Sequence, residues 1–187
     1  RYGGEGFEVV SVAVDIQGTG VAKTWVDKAE ATFKTLVDRD SKLAARLGVN
    51  YVPFAVWIDE AGRIVRGPQP ANVGDESQRA AIAAWIEKGS EDLTDSESKS
   101  ASPSAGHTDT EAELRFSLAA RLMQLGRKGD AVTQLKRALV RDPENWLIRK
   151  QIWAIEHPDR FYSGRVDFPW QRKQLKAERR SEQEAEQ

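Results

Sequence analysis

Few residues in this chain could do covalent or metal chemistry. It contains no cysteine and two histidines in 187 residues. Without a thiol it cannot form a disulfide, attack as a thiolate or build a thiolate metal site. His107 stands alone in a Ser-rich stretch with no second ligand beside it, and reads as a solvated residue rather than a metal ligand. His157 precedes Pro158 and marks a helix end. Asp15, Asp38, Asp40 and Asp59 fall at strand ends or turns, where capping is the ordinary work of a carboxylate. The sequence holds no phosphate loop, no Ser–His–Asp order and no carboxylate–histidine metal spacing. It therefore assigns no catalytic residue, no cofactor and no metal site.

The elements that would position a site come next. A formal net charge of -1 gives no global field that favours nucleic acid or an anionic membrane. No apolar run approaches the length of a membrane span. Phe7 to Asp15 reads as a buried strand, with Val10, Val12 and Val14 on one face and small or apolar residues on the other. Roughly 21–34 follows helical spacing through Ala22, Trp25, Val26, Ala29 and Phe33, with Thr19 as a possible N-cap. Residues 35–38 fit either a helix extension or a short strand. Asp40 or Ser41 caps a short helix that Gly48 stops. Phe54 to Ile58 is an apolar run suited to a strand buried on both faces. Asp59 to Gly62 is a hairpin turn, Arg63 to Arg66 a more polar strand, and 67–74 a loop with two prolines. Asp75 to Gln78 starts a further helix, with Ile82, Trp85 and Ile86 inward. This order predicts an α/β class.

Three segments carry a resemblance: Phe7–Asp15, Leu36–Val49 and Tyr51–Val65. In this order and spacing, residues 7–88 resemble the C-terminal two-thirds of a thioredoxin-like domain of the TlpA/ResA, or redoxin, type. From the residues alone, Pro53 fits a trans strand-initiating proline. The resemblance instead implies a cis-proline, with Val52 and Pro53 forming the loop that faces the redox motif and pairs with extended substrate peptide. Two departures stand out. Phe54-Ala55 follows the proline where relatives carry small or hydroxyl residues. The family's first strand and the helix bearing its Cys-x-x-Cys pair are absent, so the expectation is an incomplete sheet in a chain that begins just downstream of its own redox motif. Some ResA-like proteins carry selenocysteine there, whose codon is easily read as a stop. By this resemblance the partners are protein thiols and disulfides, and the setting is extracytoplasmic.

The second half changes character. Residues 89–110 are Ser-rich and acidic and read as a flexible linker. A helix from Thr110 to Leu125, inward through Leu114, Leu118, Ala119, Leu122 and Leu125, is followed by a second that Asp130 caps, inward through Ala131, Leu135, Ala138 and Leu139. Leu118-Ala119, Leu122, Gly126, Ala131, Leu135, Ala138 and Pro143 resemble one tetratricopeptide repeat, with Arg115 where an aromatic is expected. Asn145 to Glu156 supplies a capping helix. Residues 158–187 hold an aromatic, proline-interrupted segment that packs on the helices, then a charged tail whose basic and acidic residues offset each other, a weak case for nucleic acid.

The expected organisation is a truncated thioredoxin-like domain over 1–88, a linker over 89–110, a tetratricopeptide-like hairpin with its cap over 111–157, and the aromatic segment and tail over 158–187. Two functional classes follow. One is the C-terminal portion of a thiol–disulfide oxidoreductase fused to a protein-interaction module. The other is a redox-inactive protein-binding module.

Overall fold

The computed structural model describes residues 6–72, 74–88 and 109–185. The chain is mixed α/β. Strands β1 (Val10–Ala13) and β2 (Lys34–Val37) pair in parallel, so a crossover must join them, and α1 (Thr19–Lys28) supplies it. After α2 (Lys42–Arg46), strands β3 (Phe54–Ile58) and β4 (Ile64–Pro70) form an antiparallel hairpin. Helix α3 (Glu76–Lys88) lies on that hairpin through Trp85. The Trp85 ring stacks on Trp57 at 5.1 Å and meets Phe7 edge-on at 5.9 Å.

The two strand pairs are separate two-stranded sheets, and no ladder joins β1 to β3 among the described residues. This corrects the reading of Phe54 to Ile58 as buried on both faces. Only Trp57 of β3 is buried, and Ile58 is exposed, because successive side chains alternate between faces and it is Trp57 that Trp85 of α3 covers. Strand β4 runs on to Pro70, where a loop was expected. Its prolines are tolerated because an edge strand has N–H positions that need no partner.

Local chemistry moves other boundaries. Helix α1 ends at Lys28 rather than near residue 34, since Glu30 takes a positive φ of 47°. Phe33 consequently leaves the helix and is exposed. Gly18, not Thr19, is the N-cap residue of α1. At α2 neither Asp40 nor the Ser41 side chain caps the helix. The Asp38 carboxylate does so, accepting from the Lys42 amide at 3.0 Å and the Ala44 amide at 2.9 Å.

Helices α4 (Thr110–Gln124) and α5 (Lys128–Arg141) are joined by a short turn and lie against each other, which makes them an antiparallel pair. Asp109 N-caps α4 through the Glu111 and Ala112 amides, so residues 109 and 110 belong to the helical unit rather than to the linker. Helix α5 starts before Asp130, which pairs with Arg127 at 2.7 Å instead of capping. The inward face of α4 is also corrected. Leu114, Leu118 and Leu125 are 67%, 47% and 61% exposed, whereas Ala112, Phe116, Ala119 and Ala120 are buried with Leu122. Small residues face α5, where Ala131, Leu135 and Ala138 are fully buried, and this lets the two backbones approach closely.

Helix α6 (Trp146–Glu156), capped by Asn145, leads to α7 (Pro158–Tyr162) and then to α8 (Phe168–Ala185). The aromatic segment packs on the helices as its composition suggests. Trp170 meets Trp153 edge-on at 5.8 Å and Phe161 at 6.3 Å. Helix α8 is held down by Glu178, which accepts from Trp153 Nε1 at 2.5 Å and from Arg149. One apolar cluster spans both halves of the chain, from Ile16, Ala44 and Val49 to Phe116, Leu147, Ile148 and Ile152.

The tight α4–α5 contact predicts a specific sensitivity. Ala138→Leu overpacks a site with no exposed surface, and should lower stability by about 1–3 kcal/mol, read as an earlier urea midpoint. The equivalent change at exposed Val140, Val140→Leu, should move the midpoint little.

Candidate functional site

The Val52–Pro53 peptide is cis, and the loop that carries it lies beside the seat of the helical unit. The loop is held at both flanks. Upstream, the Leu147 amide donates to the Asn50 carbonyl at 2.9 Å; downstream, the Ala71 amide donates to the Pro53 carbonyl at 3.1 Å. Between these anchors the backbones of Tyr51 and Val52 make no hydrogen bond among the described residues. Pro53 is exposed, while Val52 and Phe54 pack partly against the shared core.

The end of β1 is gripped by the same helices. The carbonyl of Ala13 accepts from the Asp38 amide, on the β2 side. Successive carbonyls of a strand alternate direction, so Val14 O and Ile16 N face the opposite, open edge. The Gln151 side chain occupies that edge: its Nε2 donates to Val14 O at 3.2 Å and its Oε1 accepts from Ile16 N at 3.3 Å. One side-chain amide thus makes the donor–acceptor pair that a residue of a parallel neighbouring strand would make opposite Asp15. Gln151 is 7% exposed, so a single side chain satisfies two buried backbone groups at once.

Asp15 itself turns to α7. The Tyr162 hydroxyl donates to Asp15 Oδ2 at 2.6 Å, the Gln17 amide donates to Oδ1 at 2.9 Å, and Gln17 Nε2 donates to the Tyr162 oxygen at 2.7 Å. Burial holds the Asp15 carboxyl above its ordinary range, and the bonds from Tyr162 and Gln17 only partly reverse this. Burial and the neighbouring carboxyl push the Tyr162 hydroxyl well up, so it acts as a neutral donor.

Of the residues singled out from sequence, Val52 and Pro53 lie at this junction. Asp15 is drawn into it, and Asp40 touches its rim through Gln124 Nε2 at 3.0 Å. Asp59 lies apart, closing its own hairpin through the Arg63 amide and guanidinium. His157 ends α6 and packs on Trp170 at 4.9 Å, and His107 lies outside the described residues. Gln151 and Tyr162 went unnoticed in the sequence. The only local signal was a glutamine between Ile148 and Ile152 on an apolar helix face. Among the described residues no cluster of three or more His, Cys, Asp or Glu could hold a metal, and no helix is long and apolar enough to cross a membrane. Comparison with protein-family models, with curated proteins and with solved structures found no match for this chain.

A raised Asp15 means that the folded chain binds this proton more tightly than the unfolded one. Its contribution to stability is greatest below the ordinary aspartate range and falls as pH rises through the raised value. Asp59, Asp75, Asp109 and Asp167 run the other way, chiefly through hydrogen bonds from Arg63, Ser77, Arg141 and the Trp170 amide. The difference between wild type and Asp15→Asn isolates the one group. Between about pH 4 and 7, the variant should gain stability relative to wild type as pH rises, measured as urea midpoints. Tyr162→Phe, which strips a donor from a buried carboxylate, should cost about 1–3 kcal/mol and steepen the loss.

Proposed function

We propose that this chain is the polypeptide-docking part of a thioredoxin-like thiol–disulfide oxidoreductase, with its Val52–Pro53 loop receiving an extended segment and its tetratricopeptide-like helices bracing that loop. The observation that carries the reading is the braced but unpaired backbone. Asn50 and Pro53 are fixed by Leu147 and Ala71, while Tyr51 and Val52 between them keep their amide and carbonyl groups unused among the described residues. A fixed, unpaired stretch of backbone leading straight into a strand offers the free groups that strand addition uses. The electron transfer itself needs two thiols or a selenol–thiol pair, and the 187 residues contain no cysteine. On this reading the reacting groups lie outside these 187 residues.

A second reading draws on the same absence of cysteine and on the core shared between the two halves. It makes the chain a redox-inactive scaffold that binds partner proteins. Reading the DNA upstream separates the two: a Cys-x-x-Cys or selenocysteine–cysteine frame supports the oxidoreductase, and its absence supports the scaffold.

The docking step can be measured on the chain itself. An unfolded, alkylated polypeptide titrated into labelled protein should shift the amide resonances of Tyr51 and Val52. Val52→Pro, which removes the donor, should weaken binding about tenfold, while Val52→Ala should not. Undiminished binding by Val52→Pro would sink the docking reading. Insulin reduction by these residues alone should be blank.

A further inference from the structure

A second concavity lies on the far side of α6, away from the α/β half. Trp146 and Lys150, one turn apart on α6, face Phe168, Gln171, Arg172 and Leu175 on α8 across a cavity of about 280 Å³. Its walls are aromatic and aliphatic, and its charged groups are the two cations Lys150 and Arg172. Lys150 Nζ sits 5.9 Å from the Trp146 ring centroid. Neither Lys150 nor Arg172 makes an ion pair among the described residues. The nearby carboxylates are engaged elsewhere: Glu178 with Arg149 and Trp153, and Glu144 with Arg179.

Gln171 lines the cavity but is only 6% exposed, and its Nε2, which has no hydrogen-bond partner, has no surface open to a ligand. Burial also pushes the Lys150 ammonium below its ordinary value, as expected where a cation lacks a counter-charge.

We propose that this pocket binds a small planar aromatic carboxylate. The Arg172 fork matches a carboxylate's two oxygens, and Lys150 adds a second positive charge. The ring lies between Trp146 and Phe168, where offset or edge contacts are favourable. The volume sits at the small end for ligand pockets, which suits one or two fused rings rather than a peptide. This site is separate from the Val52–Pro53 loop and does not depend on how that loop is read.

The test uses the full chain, 2-naphthoate as the probe and its neutral amide, 2-naphthamide, as the control, in calorimetric titrations. Naphthoate should bind saturably with a Kd below about 1 mM, and added salt should weaken it. Naphthamide should bind at least about tenfold more weakly. Lys150→Met and Arg172→Met keep the aliphatic stems that line the walls, and each should weaken naphthoate about tenfold without changing the urea midpoint. Gln171→Leu should leave naphthoate binding unchanged and the fold at least as stable, because an unpaired buried donor is removed. No saturable naphthoate binding, equal affinity for the neutral amide, or full affinity in both charge variants would overturn the proposal.

Discussion

The two hydrogen bonds between the Gln151 amide and the backbone at Val14 and Ile16 are the contact on which the rest of the chain depends. A two-stranded parallel sheet leaves its far edge unpaired, and open edges invite wrong partners. Gln151 ends that edge with the donor and acceptor of a strand, carried on a helix. Around it, Leu147 fixes Asn50, Tyr162 takes Asp15, and Ile148 and Ile152 join Ile16, Ala44 and Val49 in one core. The polar pairs set the register of docking, and the apolar burial supplies most of the driving force.

The α/β half needs this support. Its sheets have two strands each, and such units are marginal alone. Val9, Val10, Leu36, Ile58 and Ile64 remain exposed, and its buried apolar residues are few. The helical half is better packed, with Ala119, Ala120, Ala131, Leu135 and Ala138 fully buried. Residues 14–17 and 50–54 are therefore positioned by contacts made more than ninety residues further along the chain.

Helix α6 serves three surfaces, which explains why it is buried nearly all round. Leu147, Ile148, Gln151 and Ile152 face the α/β half and the α4–α5 pair. Arg149 and Trp153 face α8 through Glu178. Trp146 and Lys150 face the cavity shared with α8. A binding event on that last face would act on the same rigid element that braces the Val52–Pro53 loop.

The sequence by itself determined what is local. Period-2 and period-3.6 patterns placed β1, β3, α3, α5 and α6, and the absence of cysteine excluded thiol chemistry in these residues. The same periodicity marked Asn145 to Glu156 as a helix, and within it Asn145 proves to be the N-cap residue, its side chain accepting from the Ile148 amide. What the tertiary structure decided is whatever depends on a distant partner. Leu114, Leu118 and Leu125 offered as good an apolar stripe as Ala112, Phe116 and Ala119, and the close approach of α5 chose the smaller side chains. Phe54 to Ile58 carried the pattern of a central strand, yet burial on both faces needs elements packed above and below the sheet, and among the described residues Trp57 is covered by Trp85 while Ile58 stays exposed. Gln151, Tyr162 and Gln171 look in sequence like ordinary helix residues. Their chemistry comes from groups that only folding brings within 3.3 Å, or, for the Gln171 amide nitrogen, from burial that leaves it without a partner.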